Sequence, residues 1–125
     1  MRDIEIEIRA DETAPRLSRA RLSEIEASLG PRSPDVKLIV SELVTNAVRH
    51  AGSTEKVRVR VKANDERIRL EVVDDGPGFP PAAARGDGMG LTIIERLADD
   101  WGVEVDVKCT VWVELAKSVG ADTPD

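Results

Sequence analysis

The sequence has 125 residues, of which 41% are hydrophobic and 34% are charged. This length predicts one domain, and the composition excludes both a disordered chain and a membrane-embedded one. The formal net charge of −6 disfavours binding to nucleic acid or to anionic lipid through charge. A single cysteine, Cys109, excludes an internal disulfide and indicates a reducing, cytoplasmic setting.

The first fifty positions predict a strand followed by two helices. Isoleucines alternate with charged residues over 4–8, which is the pattern of a strand. Apolar residues over 17–29 follow a roughly helical spacing, and a Gly-Pro pair ends this helix. The next helix has the strongest pattern, with Ser33 as its predicted N-cap, a proline at its first position and Gly52 to close its end.

The remaining positions predict a hairpin, a long loop, a third helix and two further strands. Apolar and charged residues alternate in both hairpin strands, so the hairpin has one buried and one charged face. The loop is rich in Gly, Pro and Ala. The predicted segments are hairpin strands at 56–62 and 67–72, the loop at 74–90, the helix at 91–100, and strands at 103–107 and 111–115.

This order of elements predicts an α+β fold. Sheet segments occur in pairs that can run antiparallel, and the three helices can cover one face of the sheet. The expected architecture is therefore a two-layer α/β sandwich with a mostly antiparallel sheet. We expect one domain over 1–116 and a flexible tail over 117–125, where the apolar pattern is lost.

Three polar residues recur every fourth position along the second helix. Glu42, Asn46 and His50 therefore stack along one side of it, and the first two border the apolar stripe. A carboxylate and an amide at the rim of a core helix need partners. Taken alone, the simpler interpretation is a solvated helix edge.

Two glycine-containing segments follow. Asp74, Gly76 and Gly78 lie at the end of a predicted strand, where a carboxylate can accept a hydrogen bond from an exocyclic amine and glycines permit a close backbone approach. Gly88 and Gly90 come just before a predicted helix, where backbone amides and the helix dipole suit phosphate. Each segment alone is a weak signal, because glycines are common in turns.

Together the three segments resemble the GHKL ATPases, a superfamily with the Bergerat ATP-binding fold. Residues 38–52 resemble its N box, 72–79 its first glycine box, and 88–102 its second glycine box with the following helix. Residues 110–112 resemble the motif of the final strand. Within the superfamily, the chain is similar to small stand-alone anti-sigma-factor serine-protein kinases of bacteria.

The resemblance implies ATP and Mg²⁺ as cofactors. In it, Asn46 coordinates Mg²⁺, Glu42 orients and deprotonates the attacking hydroxyl, and Asp74 binds the adenine amine. Thr110 lines the adenine end, and His50 has a supporting role. The cofactor-binding residues implied are Asn46, His50, Asp74, Gly76, Gly78, Arg85, Gly88, Met89, Gly90, Leu91 and Thr110, with Glu42 as the catalytic residue.

The resemblance also implies an activity and partners. Histidine kinases of the superfamily usually carry Asn where this chain has Glu42, and a glutamate base fits transfer to a hydroxyl. The implied function is a serine/threonine-protein kinase that phosphorylates a STAS-type anti-sigma-factor antagonist and sequesters a sigma factor. A homodimer is also implied. No partner is expected among nucleic acids or membranes.

Two other functions remain open at this point. Nine residues, 79–87, separate the two glycine boxes, and this short lid encloses a γ-phosphate poorly. Arg85 is the only basic residue in the lid and the candidate contact to the γ-phosphate. The short lid favours a partner-switching interaction module without kinase activity as the alternative. A detached histidine-kinase ATPase domain is a third possibility, against which Glu42 argues.

The basic residues of the first hairpin strand allow two interpretations. Lys56, Arg58, Arg60 and Lys62 fall on one face of that strand. They could contact an acidic sigma factor, but such a row is more often the solvated side of an antiparallel sheet. We favour the solvated face.

Overall fold

The computed structural model describes residues 2–50, 56–74, 91–105 and 108–117. Within these ranges all strand pairs are antiparallel and form one sheet. The elements in chain order are β1 (Arg2–Arg9), α1 (Ala14–Ser23), α2 (Glu26–Leu29), a 3₁₀ turn (Gly30–Arg32), α3 (Ser33–His50), β2 (Lys56–Ala63), β3 (Arg67–Asp74), α4 (Leu91–Leu97), β4 (Asp100–Val105) and β5 (Cys109–Ala116). The strand order is β1-β2-β3-β5-β4, and the predicted two-layer α+β sandwich is confirmed.

One face of the sheet carries the core. In the register, Val59 of β2 lies between Ile6 of β1 and Val72 of β3, and these three side chains are at most 2% exposed. Because side chains alternate along a strand, every second residue of β1, β2, β3 and β5 joins this apolar face. The helices cover it, since α3 packs on β2 and β3 with Val36, Ile39, Val40 and Val44 fully buried.

The opposite face of the sheet carries both basic and acidic side chains, which pair with one another. Arg60 lies 3.3 Å from Glu5 on one neighbouring strand and 3.5 Å from Glu71 on the other. Arg69 bonds Glu71 at 3.0 Å and Glu114 at 2.6 Å. The carboxylates of β1, β3 and β5 therefore offset the basic row of β2, as expected for the solvated side of an antiparallel sheet.

The prediction of one continuous helix over 17–29 is wrong. It breaks into α1 and α2, because Ile25 leaves helical geometry with φ −118° and ψ 26°. The turn lets the chain bury both Ile25 and Leu29 against the core. Leu17, expected in the buried stripe, is 44% exposed, while Ser18 beside it is buried and donates to the Ala14 carbonyl at 2.8 Å.

Ser33 does not cap α3 as predicted. Its own backbone is helical, with φ −51° and ψ −47°, because the 3₁₀ turn leads directly into the helix. Its hydroxyl is buried and has no hydrogen-bond partner among the described residues. Gly52, the predicted closing residue, lies outside the described ranges.

The third predicted helix is too long and the strand after it starts earlier than expected. Helix α4 ends at Leu97, and β4 begins at Asp100. The Asp99 amide donates to the Glu114 carbonyl at 2.9 Å, and the Asp99 carboxylate accepts from the Ala116 amide at 2.6 Å. These bonds hold residue 99 beside β5, two residues after the helix ends. Residue 107 of the predicted strand lies outside the described ranges.

Candidate functional site

The N-box helix places one of its polar residues in the protein interior. Asn46 of α3 is 3% exposed, whereas Glu42, one turn earlier, is partly exposed. A buried amide requires hydrogen-bond partners or a ligand, since burying it without them is costly. The solvated-edge interpretation is therefore wrong for Asn46. His50 is the last residue of the helix, and only its backbone is described.

The carboxylate expected to bind adenine is also buried. Asp74 is the last residue of β3 and is 4% exposed. It pairs with Val57 on one side and Cys109 on the other, both of which belong to the core face. The Asp74 side chain therefore points towards the helix layer. Aspartate side chains are rarely so buried unless they are paired through a hydrogen bond or an ion pair.

The chain path brings these residues to one end of the sheet. Helix α3 ends at His50, and only five residues separate it from β2. The second residue of β2, Val57, pairs with Asp74. The C-terminal part of α3 and the end of β3 therefore lie at the same end of the molecule, where α4 also starts. Asn46 and Asp74, which come from two of the three motifs, are therefore both buried at this end of the molecule.

Thr110 and Asp74 lie on opposite faces of the sheet. Thr110 pairs with Val73, whose side chain points away from the helices, whereas its neighbour Cys109 pairs with Asp74. Cys109 is 1% exposed and therefore lies beside Asp74 on the core face. The sequence analysis did not name Cys109 as a site residue. The alternation along β5 could have indicated its position, because Cys109 lies on the same face as the apolar residues Val111 and Val113. Thr110 as an adenine contact stays a prediction that this register does not favour.

Several predicted site residues fall outside the described ranges. These are Gly76, Gly78, Arg85, Gly88, Met89 and Gly90; for Leu91, the first residue of α4, only the backbone is described. Among the described residues, no group of three or more His, Cys, Asp or Glu side chains is arranged to hold a metal ion.

A protein-family model matches most of the chain. Residues 32–119 match the family described as histidine kinase-, DNA gyrase B- and HSP90-like ATPase. The chain belongs to this ATPase family. The match begins at the 3₁₀ turn and runs through the end of β5, so this ATPase region contains α3, Asp74 and α4.

Two curated relatives of this ATPase domain are about 30% identical to it in sequence. The anti-sigma F factor of Geobacillus stearothermophilus is 31% identical over 120 residues, which cover 81% of this chain and 82% of the relative. The serine-protein kinase RsbW of Bacillus licheniformis is 30% identical over 116 residues, with 74% of this chain and 72% of the relative covered.

Solved structures share the fold of the ATPase domain. A structure of the RsbU and RsbW domains of a Mycobacterium tuberculosis protein matches over part of its length, with a TM-score of 0.72 and 24% identity, covering 92% of this chain and 32% of that one. The histidine kinase AdeS of Acinetobacter baumannii matches with a TM-score of 0.54 and 17% identity, covering 94% of this chain and 70% of that one. No helix within the described ranges is long and apolar enough to cross a bilayer.

Proposed function

We propose that this domain binds Mg-ATP between α3 and the sheet. The observation that carries the proposal is the pair of buried polar side chains, Asn46 and Asp74, at one end of the two-layer core. The Asp74 carboxylate can accept a hydrogen bond from the adenine amine. The Asn46 amide oxygen is a hard ligand of the type that Mg²⁺ prefers, and phosphate oxygens and waters would complete its shell.

We further propose that the domain transfers the γ-phosphoryl group to a serine or threonine of a protein partner. Glu42 lies one helical turn from Asn46 and is more exposed, so an incoming hydroxyl can reach it. Its carboxylate takes the proton as the hydroxyl oxygen bonds to the γ-phosphorus, and the bond to the β-phosphate breaks to release ADP. Positioning and charge stabilisation provide most of the catalysis in such a transfer.

The names of the relatives support the choice of partners. Relatives at about the same identity are named as an anti-sigma factor and as a serine-protein kinase. The proposed phosphate acceptor is therefore a STAS-type anti-sigma-factor antagonist, and the proposed second partner is a sigma factor that the domain withholds from RNA polymerase. A homodimer and a cytoplasmic location remain predictions.

The test compares one variant of the proposed base with a matched control. We expect Glu42→Gln to bind Mg-ATP like the wild type in calorimetry but to transfer no labelled γ-phosphate to the cognate antagonist. Glu66→Gln makes the same chemical change in the exposed turn between β2 and β3, at the other end of the sheet, and should retain transfer. Undiminished transfer by Glu42→Gln would refute the assignment of the base.

The same experiments distinguish the alternative function. The nine-residue segment 79–87 favours an interaction module that switches partners without phosphorylating them. Such a module would leave the antagonist unlabelled even when the wild-type protein is used, whether or not calorimetry detects binding of Mg-ATP. Binding of Mg-ATP without any transfer would indicate a nucleotide-dependent switch, and absence of both would indicate a purely interacting protein.

A further inference from the structure

Helix α1 is a basic segment of an acidic protein. Its ten residues include Arg16, Arg19 and Arg21 and no acidic residue, whereas the whole chain has a net charge of −6. All three arginines are exposed, and so is Leu17 beside them, which is 44% exposed. We define the α1 face by these four residues. It combines positive charge with an apolar side chain on the outward side of the helix.

The position of Arg16 does not serve the stability of the helix. Arg16 lies in the first turn of α1, where the helix dipole favours acidic side chains and disfavours cations. Within the described ranges its guanidinium forms no ion pair. Arg21, in contrast, lies in the last turn, where the dipole favours a cation, and its Nε is 3.4 Å from Glu24. Arg16 is therefore a cation that the helix does not require and that a partner can reach.

The exposure of Leu17 fits the same interpretation. The buried residues of α1 are Ala14, Ser18 and Leu22, so Leu17 lies outside the stripe that packs on the core. A single exposed leucine is common on protein surfaces, but this one has arginines on both sides along the chain. Protein interfaces place apolar contacts near their centre and polar groups around them. The α1 face therefore suits an acidic protein surface that also offers an apolar contact.

A hydrogen bond connects the α1 face to the helix that carries the proposed base. Nη1 of Arg19 donates to the hydroxyl of Ser41 in α3 at 2.7 Å, and Ser41 directly precedes Glu42. The turn from β1 into α1 also lies at the sheet end that carries Asp74. A stable protein interface covers about 800 Å² on each partner, roughly 30 Å across, whereas packed helices are about 8–10 Å apart. A protein that brings a hydroxyl to Glu42 therefore also covers the α1 face.

We propose that the α1 face binds an acidic surface of the protein that accepts the phosphoryl group. Its arginines pair with carboxylates of the acceptor, and Leu17 contacts an apolar side chain there. The face sets the affinity for the acceptor and takes no part in nucleotide binding, because its side chains are on the outside of the helix layer. This inference rests on the proposed phosphoryl transfer and adds to it the surface and the charge that recognise the acceptor.

The test is Arg16→Glu in steady-state transfer of labelled γ-phosphate to the cognate antagonist. We expect KM for the antagonist to rise about tenfold, because the reversed charge repels the carboxylates that Arg16 attracts. The value of kcat at saturating antagonist and the calorimetric affinity for Mg-ATP should stay at those of the wild type. The melting temperature should not fall, because a glutamate in the first turn suits the helix dipole.

Two further variants separate a local contact from other effects. Arg2→Glu makes the same change in net charge at the other end of the sheet, where Arg2 pairs with Ala63, and should leave KM unchanged. Leu17→Gln keeps the charge and should raise KM about three- to tenfold, because the apolar contact is lost. On the antagonist, exposed acidic residues replaced one at a time by lysine should include one that restores the KM of Arg16→Glu.

Other outcomes overturn the inference. An unchanged KM in Arg16→Glu, or an equal rise in Arg16→Glu and Arg2→Glu, would show that the α1 face does not bind the acceptor, while the proposed transfer would stand. An unchanged KM together with weaker binding of the sigma factor would assign the face to that partner instead. If the wild-type protein transfers no phosphate, the proposed function is refuted, and this inference with it.

Discussion

The substitution Gly102→Ala tests the packing of the outer sheet face. Gly102 of β4 pairs with Trp112 of β5, and the indole ring lies directly across the glycine. A Cβ atom at position 102 would lie 2.8 Å from Cε2, Cζ2 and Nε1 of that ring. Carbon atoms in ordinary contact are at least 3.5 Å apart, so the ring would have to move by about 0.7 Å.

The ring has little freedom to make this movement. Arg69, on the strand at the other side of β5, lies over the ring with its Cζ 4.9 Å from the centroid. Glu71 and Glu114 hold that arginine by ion pairs at 3.0 Å and 2.6 Å. Overpacking of this kind costs about 1–3 kcal/mol. For a domain of this size we therefore expect the melting temperature to fall by roughly 4–12 °C.

Thermal unfolding followed by circular dichroism measures the effect, and a second background tests its cause. In Trp112→Leu protein the clash is removed, so Gly102→Ala should cost much less there than in the wild type. An unchanged melting temperature in the wild-type background, or the same loss in both backgrounds, would refute the steric argument. Mg-ATP affinity should not change, because this face points away from Asn46 and Asp74.

Three further predictions concern the candidate site and the loop before α1. Asn46→Ala should weaken nucleotide binding in the presence of Mg²⁺ and remove most of the difference between calorimetric titrations with and without the metal; a retained difference would exclude Asn46 as the ligand. Asp74→Asn should lower ATP affinity about 10- to 100-fold, the value of a hydrogen bond to a charged group, and reduce discrimination against GTP in competition assays. Equal selectivity in both proteins would contradict the adenine contact. A hydrogen bond from the Thr13 hydroxyl, and then one from its amide, lower the pKa of Asp11 below its ordinary 3.8. The stabilisation is therefore present above pH 3.8 and is lost as the pH falls through the lowered value. Asp11→Asn should accordingly show a shallower loss of melting temperature below pH 3.8 than the wild type, and parallel curves would refute this.

Some residues of the candidate site could be predicted from the sequence motifs, and others could not. Asn46 and Asp74 were named from their motifs, and both prove to be buried at one end of the sheet. The resemblance also implied Thr110, but strand pairing places Cys109 beside Asp74 instead. Neighbouring residues of a strand point to opposite faces of the sheet, so a shift of one residue decides which side chain faces the helices. Only the register with a neighbouring strand shows which residue lies beside Asp74.

By itself the sequence determined the order of the elements, the two faces of the sheet and the ATPase family. The elements and the faces follow from periodicity, because burial on one face leaves a period of two in strands and of 3.6 in helices. The family follows instead from the resemblance carried by the three motifs. The tertiary structure alone decided the break at Ile25, the early end of α4 and the burial of Arg32. Each depends on partners distant in the chain: Arg32 bonds residues 65 and 84 positions away, which no local periodicity records.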